Sequence, residues 1–523
     1  MNGSGSAEVL KLSVLASAVL ASALCCSAAE RKTDSSVPSS LELLHESYQN
    51  SRNFQEEQRA WLLLRLSKAA VRLSPPDSRS WSDELFKLAL KLPPSWNKVA
   101  LQKNAVATLS EIDPSRAIQL FRVMDGPIPM ANGSLPEDVR SDAARIVFQR
   151  FWIYKGRKGL PQIERVATLL ADSGEYPYAA MVPIIKRLAE SDSTKAEELF
   201  AQALTYYRRG SMFLDENRVF IRFLQELRVQ ARPTQLREAL EVVANRLLEQ
   251  KPPADSKQSY RGQVFTKGGA IEFRDPADQM LFEILPLIRE VDSDWANRLV
   301  QRRPALSQTA GPAGPVEHSA STTTFGIASG ENVSASEQAG IEEGRLYTIH
   351  ELAAERPDEA LTVASTLTLP AFRAQAWADI AAAVASKDRD RALALINKAR
   401  EVAAGLKDQL DVLRVLSVLC DAGGQVGDRK VLQESLEQGL DLGEEIFNED
   451  LAAHPGKLAY NVDGFDELTK LVQVGGKYDT DYTVNYVRQI RNELLRAHLL
   501  VSVAEGISSR KAMPAAKDHS TAQ

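Results

Sequence analysis

One short phrase recurs five times in this chain: a capping or Pro-containing turn, an Ala, and an apolar residue four positions later. It reads Asp113-Pro-Ser-Arg-Ala117 with Phe121, and Asp192-Ser-Thr-Lys-Ala196 with Phe200. It returns as Asp292-Ser-Asp-Trp-Ala296 with Val300, Arg356-Pro-Asp-Glu-Ala360 with Ala364, and Asp388-Arg-Asp-Arg-Ala392 with Ile396. Residues four apart share one face of a helix. A small residue at the head of that face lets a second helix come close. Repetition of the device predicts an all-α fold, an α-solenoid of antiparallel helix pairs. It supplies no chemistry.

Composition supports that class. Apolar residues make up 44 % and charged residues 25 % of 523 residues, an ordinary globular balance. A chain of this length exceeds one ordinary core, so several domains or a solenoid are expected. The net charge of −6 gives no electrostatic footprint for nucleic acid, and no nucleic-acid partner is expected.

The N-terminus reads as a targeting segment. Lys11 precedes an apolar run from Leu12 to Leu24, followed by Cys25-Cys26-Ser27-Ala28-Ala29. The run suits a signal-peptide core and is short for a membrane-spanning helix. Ser27 and Ala29 supply the small residues of a cleavage site, so residues 1–29 are expected to leave as a signal peptide. The expected product is exported, periplasmic or secreted. A lipid anchor on Cys25 or Cys26, or a retained N-terminal anchor, are the alternatives. No later segment has the length and apolarity of a transmembrane span. Cys420 then remains as a lone thiol in an apolar run, expected to be a buried core residue.

The rest divides by composition. Residues 30–39 are a polar, flexible lead-in. Residues 40–302 read as an N-terminal helical-repeat domain, with helix breaks at Ser74-Pro75-Pro76 and Leu92-Pro93-Pro94. Within it Gln263-Val-Phe-Thr-Lys and Ala270-Ile-Glu-Phe flank Gly268-Gly269, which predicts a short β-hairpin at about 260–275. Residues 303–338 are small and polar and are expected to be a flexible linker. A C-terminal helical domain follows over 339–508, then a disordered tail, 509–523. The expected architecture is thus two blocks joined by a flexible linker; sequence does not say whether they pack together.

The phrase extends beyond its Ala. After Ala196 come Phe200, Ala203 and Leu204; after Ala392 come Ile396 and Ala399. This small-large-small face resembles the second helix of tetratricopeptide repeats. Trp377-Ala-Asp-Ile380-Ala381-Ala-Ala-Val384 resembles the first helix, with a turn one residue shorter. The resemblance covers about a third of the chain at the superfamily level and implies a groove that holds a protein or peptide. It departs from the family in spacing: the Ala positions lie 79, 100, 64 and 32 residues apart, and only the last interval is near the usual period. A second echo, Arg59-Ala60-Trp61, Arg373-Ala374 and Arg496-Ala497, opens further apolar helices.

Chemistry-bearing patterns are scarce. None of His45, His318, His350, His454, His498 and His519 pairs with another His or Cys at metal-ligand spacing. No Walker A, GxGxxG or GxSxG sequence occurs. Gly423-Gly424 and Gly475-Gly476 are expected as helix C-caps. The acidic cluster Lys477-Tyr478-Asp479-Thr480-Asp481-Tyr482 is expected to be a helix start capped by Asp481. No catalytic, cofactor-binding or metal residue is identified. The densest aromatic-basic stretch runs from Phe148 to Lys158. Phe148, Phe151 and Trp152 share one helical face, which predicts burial. Its candidate partner-binding residues are Arg150, Trp152, Tyr154, Lys155, Arg157 and Lys158. The expected function is an exported, non-catalytic scaffold for protein–protein interaction. The alternative is an α-helical carbohydrate-active enzyme, an incomplete (α/α) toroid using paired carboxylates.

Overall fold

Each copy of the repeated phrase starts the second helix of an antiparallel pair. Asp113, Asp192, Asp292 and Asp388 accept the backbone N–H three residues on, at 3.0, 3.1, 2.9 and 3.0 Å. This satisfies one of the donors that a helix start leaves open. The Ala four residues after each turn residue (117, 196, 296, 360 and 392) is buried, as the close-packing role requires.

The computed structural model describes residues 38–126, 139–210, 214–249, 262–266, 269–307 and 335–512. The signal-peptide segment, most of the lead-in, residues 308–334 and the last eleven residues lie outside the described residues. Of the two units into which the chain divides, Ser40–Gln523 contains every described helix. Helix α1 (Ser40–Asn50) comes first. Helix pairs follow as α2–α3 (Glu56–Ala70, Pro75–Lys91), α4–α5 (Trp96–Ile112, Pro114–Phe121) and α6–α7 (Val139–Lys155, Leu160–Asp172). Next come α8–α9 (Tyr178–Ala189, Ser193–Arg209), α10–α11 (Leu214–Leu227, Pro233–Glu249) and α12–α13 (Pro276–Val291, Ser293–Arg302). After 308–334 come α14–α15 (Ala335–Ala353, Pro357–Ser365), α16–α17 (Pro370–Val384, Arg389–Ala403) and α18–α19 (Gln409–Val426, Arg429–Ala453). The last are α20–α21 (Phe465–Tyr478, Thr480–Val487) and α22 (Glu493–Ala512).

First helices pack on first helices in a single layer, and the order is not the chain order. It runs α14, α16, α18, α20, α22, α2, α4, α6, α8, α10, α12. Among the described residues no helix follows α22. Its partner is α1, from the other end of the chain. The two blocks therefore meet through the chain's first and last helices. One apolar core includes both Leu43–Leu306 residues and Leu413–Ala504 residues. A second cluster, from Ile349 to Val431, fills α14 to α19. Among the described residues no packed helix pair joins α12 or α13 to α14 or α15, so the stack is open at those ends.

The joint is also polar. Ser47 Oγ donates to Ala497 O at 2.8 Å, and Ser508 Oγ to Ser40 Oγ at 3.2 Å. Arg488 clamps Glu46 through Nε and Nη2 at 3.1 and 2.6 Å. Arg65 on α2 donates to His498 O, Ser502 Oγ and Glu505 Oε2 on α22, at 3.1, 2.8 and 3.1 Å. On its other side α1 reaches α3: Tyr48 donates to Glu84 at 2.9 Å and stacks on Trp81 at 5.5 Å. His498 is buried in this joint, edge-on to Phe465 at 5.3 Å. Burial first, and the Arg65 charge second, hold its pKa well below the usual imidazole range.

Several expectations change. Gly423-Gly424 and Gly475-Gly476 are not C-caps; they lie inside α18 and α20. A Cβ on Gly476 would sit 2.7 Å from Val503 O, and one on Gly424 would strike the Tyr478 ring. They are glycines because helices touch there. The left-handed C-cap of α18 is Gly427, φ 74°. The N-cap position of α21 is Asp479, not Asp481, and its side chain makes no capping hydrogen bond. Asp479 also binds Arg429 Nε at 2.7 Å and Gln433 Nε2 at 2.8 Å. The predicted linker is entered by structure from both sides: α14 starts at Ala335, and a 3₁₀ turn, Pro304–Ser307, buries Leu306. Helix α22 runs to Ala512. Strands Gly262–Thr266 and Gly269–Phe273 pair antiparallel, and Phe273 packs on Phe282 of α12 at 5.2 Å.

The repeat itself is testable. Replacing Ala392 by Leu adds three heavy atoms at a fully buried position. Overpacking of this kind costs about 1–3 kcal/mol. A thermal melt of Ala392→Leu should show a lowered Tm; an unchanged Tm would mean the site is not a packing position.

Candidate functional site

A layer of parallel first helices has one free side. On α6 the buried stripe is Ala143, Ala144, Val147, Phe148, Phe151 and Trp152. Phe148 meets Phe121 edge-on at 6.0 Å. Trp152, expected among the partner-binding residues, is 9 % exposed and belongs to the core. The turn Gly156–Gly159 folds beneath Phe151, so close that a Cβ on Gly159 would lie 2.8 Å from the ring.

The remaining candidates stand in solvent. Arg150, Tyr154, Lys155, Arg157 and Lys158 are exposed. Lys155 Nζ lies 4.4 Å above the Tyr154 ring, and Arg157 faces Asp192 at 3.8 Å. Ile153, beside Tyr154, was not among the candidates, yet the two are 59 % and 57 % exposed. Two large side chains together in water on one helix is the unusual feature; scattered ones are normal. The parallel motif Tyr206-Tyr207-Arg208-Arg209 closes α9, but Tyr207 is buried, stacked on Phe220 at 3.9 Å.

A second cluster lies on the same layer in the C-terminal half. Asp379 on α16 and Asp421 on α18 are half-buried carboxylates on neighbouring helices. His350 on α14 and Lys477 on α20 flank them and act on them electrostatically. Burial pushes the Asp379 carboxyl up, the Asp421 charge adds to this, and His350 opposes it; the result is about 6. Burial likewise raises Asp421, against Lys477 and a hydrogen bond from Gln425. Sequence reasoning missed this pair because its members are 42 residues apart and no spacing rule links them.

The sign of the pH effect follows. The folded chain keeps the Asp379 proton to about pH 6, above the ordinary carboxylate value of 3.8. Its contribution to stability is therefore full below pH 3.8 and is lost as pH rises through about 6. Asp379→Asn should raise Tm at pH 8 relative to the parent and match it near pH 4. Equal differences at both pH values would disprove the buried-carboxyl assignment.

Other polar clusters are structural. An open cleft of ≈ 390 Å³ is bordered by Asp441, Glu444 and Tyr486. Tyr486 donates to Asp441 at 2.8 Å, and Glu444 accepts the N–H of Arg491 and Asn492 at 2.8 and 3.0 Å. A second cleft, ≈ 570 Å³, includes Asp408, Asp450 and Asp463. Asp450 accepts from Lys457 at 2.5 Å and from Asp463 N at 3.0 Å, which holds its carboxyl down at about 2. Cys420 is fully buried, and burial raises its thiol far above the reactive range. Among the described residues no group of His, Cys, Asp and Glu could hold a metal ion, and no helix is long and apolar enough to cross a membrane.

No protein-family model and no curated protein matches the chain. Among solved structures it is similar to a "Circular tandem repeat protein with novel repeat topology and enhanced subunit contact surfaces", at 13 % identity. That match covers 90 % of this chain and 89 % of the other, with a TM-score of 0.16. A score that low carries no structural argument; the helical-repeat fold rests on the chain's own packed helix pairs.

Proposed function

We propose that this protein is an exported, non-catalytic scaffold that holds a protein or peptide partner in the cell envelope or outside the cell. Its helix pairs are taken as tetratricopeptide-like. One observation carries the reading: among the described residues eleven first helices share a single layer, and exposed side chains such as Arg150, Tyr154 and Lys155 stand on it. A surface of that kind needs no catalytic residue, only side chains that grip. Cross-linking the full chain in envelope extract tests it. Partner cross-links should fall on lysines of the layer, such as Lys155 and Lys470. Cross-links only on second helices, or none, would refute it. Export is tested separately by intact mass: a chain starting at Glu30 without lipid is expected, and a diacylglyceryl group on Cys25 or Cys26 would overturn it.

A second reading, the carbohydrate-active enzyme, draws support from Asp379 and Asp421. A carboxyl that keeps its proton beside a second carboxylate is the raw material of acid/base hydrolysis. Polysaccharide cleavage lost in both Asp379→Asn and Asp421→Asn would replace the scaffold reading.

A further inference from the structure

Some basic residues of this half are neutralised within the fold. On the second helices Lys195 meets Glu164 at 2.7 Å, and Arg208 meets Glu238. On the layer, Lys186 of α8 is likewise held by Glu226 of α10. Arg150 and Lys155 on α6, Arg187 on α8 and Arg222 on α10 are exposed. Among the described residues none of the four has a carboxylate partner.

Their placement follows from packing. On α8 the buried positions include Ile184, Ile185 and Leu188; on α10 they include Phe220, Ile221 and Leu224. Arg187 and Arg222 lie outside those stripes, on helices that pack side by side with α6 in one layer. Three adjacent first helices thus present unpaired cations. Ile153 and Tyr154 are the exposed apolar element among them. The chain's net charge is −6, so this cationic face runs against the overall balance.

We propose that the exposed stripes of α6, α8 and α10 dock an acidic peptide segment that also carries apolar side chains. Arg150, Arg187 and Arg222 would engage its carboxylates, for which a guanidinium offers a matched pair of donors. Ile153 and Tyr154 would cover an apolar side chain, and Lys155, already on the Tyr154 ring, would flank it. Nucleic acid would share the cations but leaves Ile153 without a role. The proposal rests on the scaffold reading and gives the partner its chemistry.

The test uses the full chain and labelled polymers of known composition. A random Glu/Tyr copolymer is the probe; poly-Glu, poly-Lys and poly-U are the comparisons. Binding of the copolymer should exceed that of the other three. The double variant Arg187→Glu/Arg222→Glu should weaken it by roughly tenfold or more, as loss of interface anchors does. Ile153→Ser/Tyr154→Ser should weaken the copolymer and leave the residual poly-Glu binding unchanged. All four substitutions are at exposed positions, and melts matching the parent check that the fold is intact. Copolymer binding equal to poly-Glu, tighter binding of poly-U, or variants that bind like the parent would each overturn the proposal. Layer cross-links to a partner that spare α6, α8 and α10 would also overturn it while leaving the scaffold reading intact.

Discussion

Produced as two separate chains, residues 1–310 and 331–523 are expected to assemble into one 1:1 particle. The covalent link between the blocks is not what joins them in the stack. Helix α22 packs on α20, α1 and α2, while α1 is held to α3 by Tyr48 and Trp81. Each fragment alone would expose one side of that joint: Leu43 and Leu44 on one, Ala497 and Leu500 on the other, all fully buried in the whole chain. Size-exclusion with light scattering should give the mass of one complete protein. Each fragment by itself should melt lower or aggregate, and assembly should depend on concentration. Separate elution of two well-folded halves at micromolar concentration would show that the joint is not a stable interface. Deleting 40–50 from the first chain should abolish assembly, because α1 is the wedge between α22 and α3.

The second large effect concerns a single methyl group. Gly506→Ala is expected to destabilise the protein by 3 kcal/mol or more, about the upper end of overpacking costs. A Cβ there would lie 2.1 Å from Gln473 O and 3.0 Å from Lys477 N. Both are backbone atoms of α20, so no rotamer change relieves the clash; the two helices must separate. Gly340 is the control. It too is helical, but a Cβ there meets nothing within 4 Å. Gly340→Ala should stabilise slightly, by about 0.5–1 kcal/mol, through helix propensity alone. Chemical denaturation of the two variants beside the parent decides the matter. Similar changes in both would mean α20 and α22 do not approach closely at Gly506.

The five copies of the repeated phrase fall on α5, α9, α13, α15 and α17, all second helices. The same position, four residues after the cap, is buried elsewhere with a different residue: Ser78, Leu432 and Thr483. A pattern that demanded Ala could not find these three. The echo Arg-Ala marks first helices correctly, with Ala60, Ala374 and Ala497 all buried. The candidate surface was only partly legible where a single helix carried it: Trp152, named among its partner-binding residues, is buried. The i, i+3, i+4 spacing of Phe148, Phe151 and Trp152 separated a buried face from exposed Arg150, Tyr154 and Lys155. It was illegible where several helices build it. Arg187 and Arg222 share a layer with Arg150 only because α6, α8 and α10 lie side by side, and Asp421 acts on Asp379 only because α16 packs on α18.

The sequence by itself determined the class of fold, since helical periodicity, Asp caps and small residues act within one or two turns. It also located five of the second helices, because a cap and its buried Ala are four residues apart. Tertiary structure alone decided the order of the stack. Nothing local distinguishes α22 as the partner of α1, since the residues that join them are more than 440 positions apart. Their pairing depends on two apolar faces each lacking a neighbour, a condition that exists only once the rest of the chain has folded.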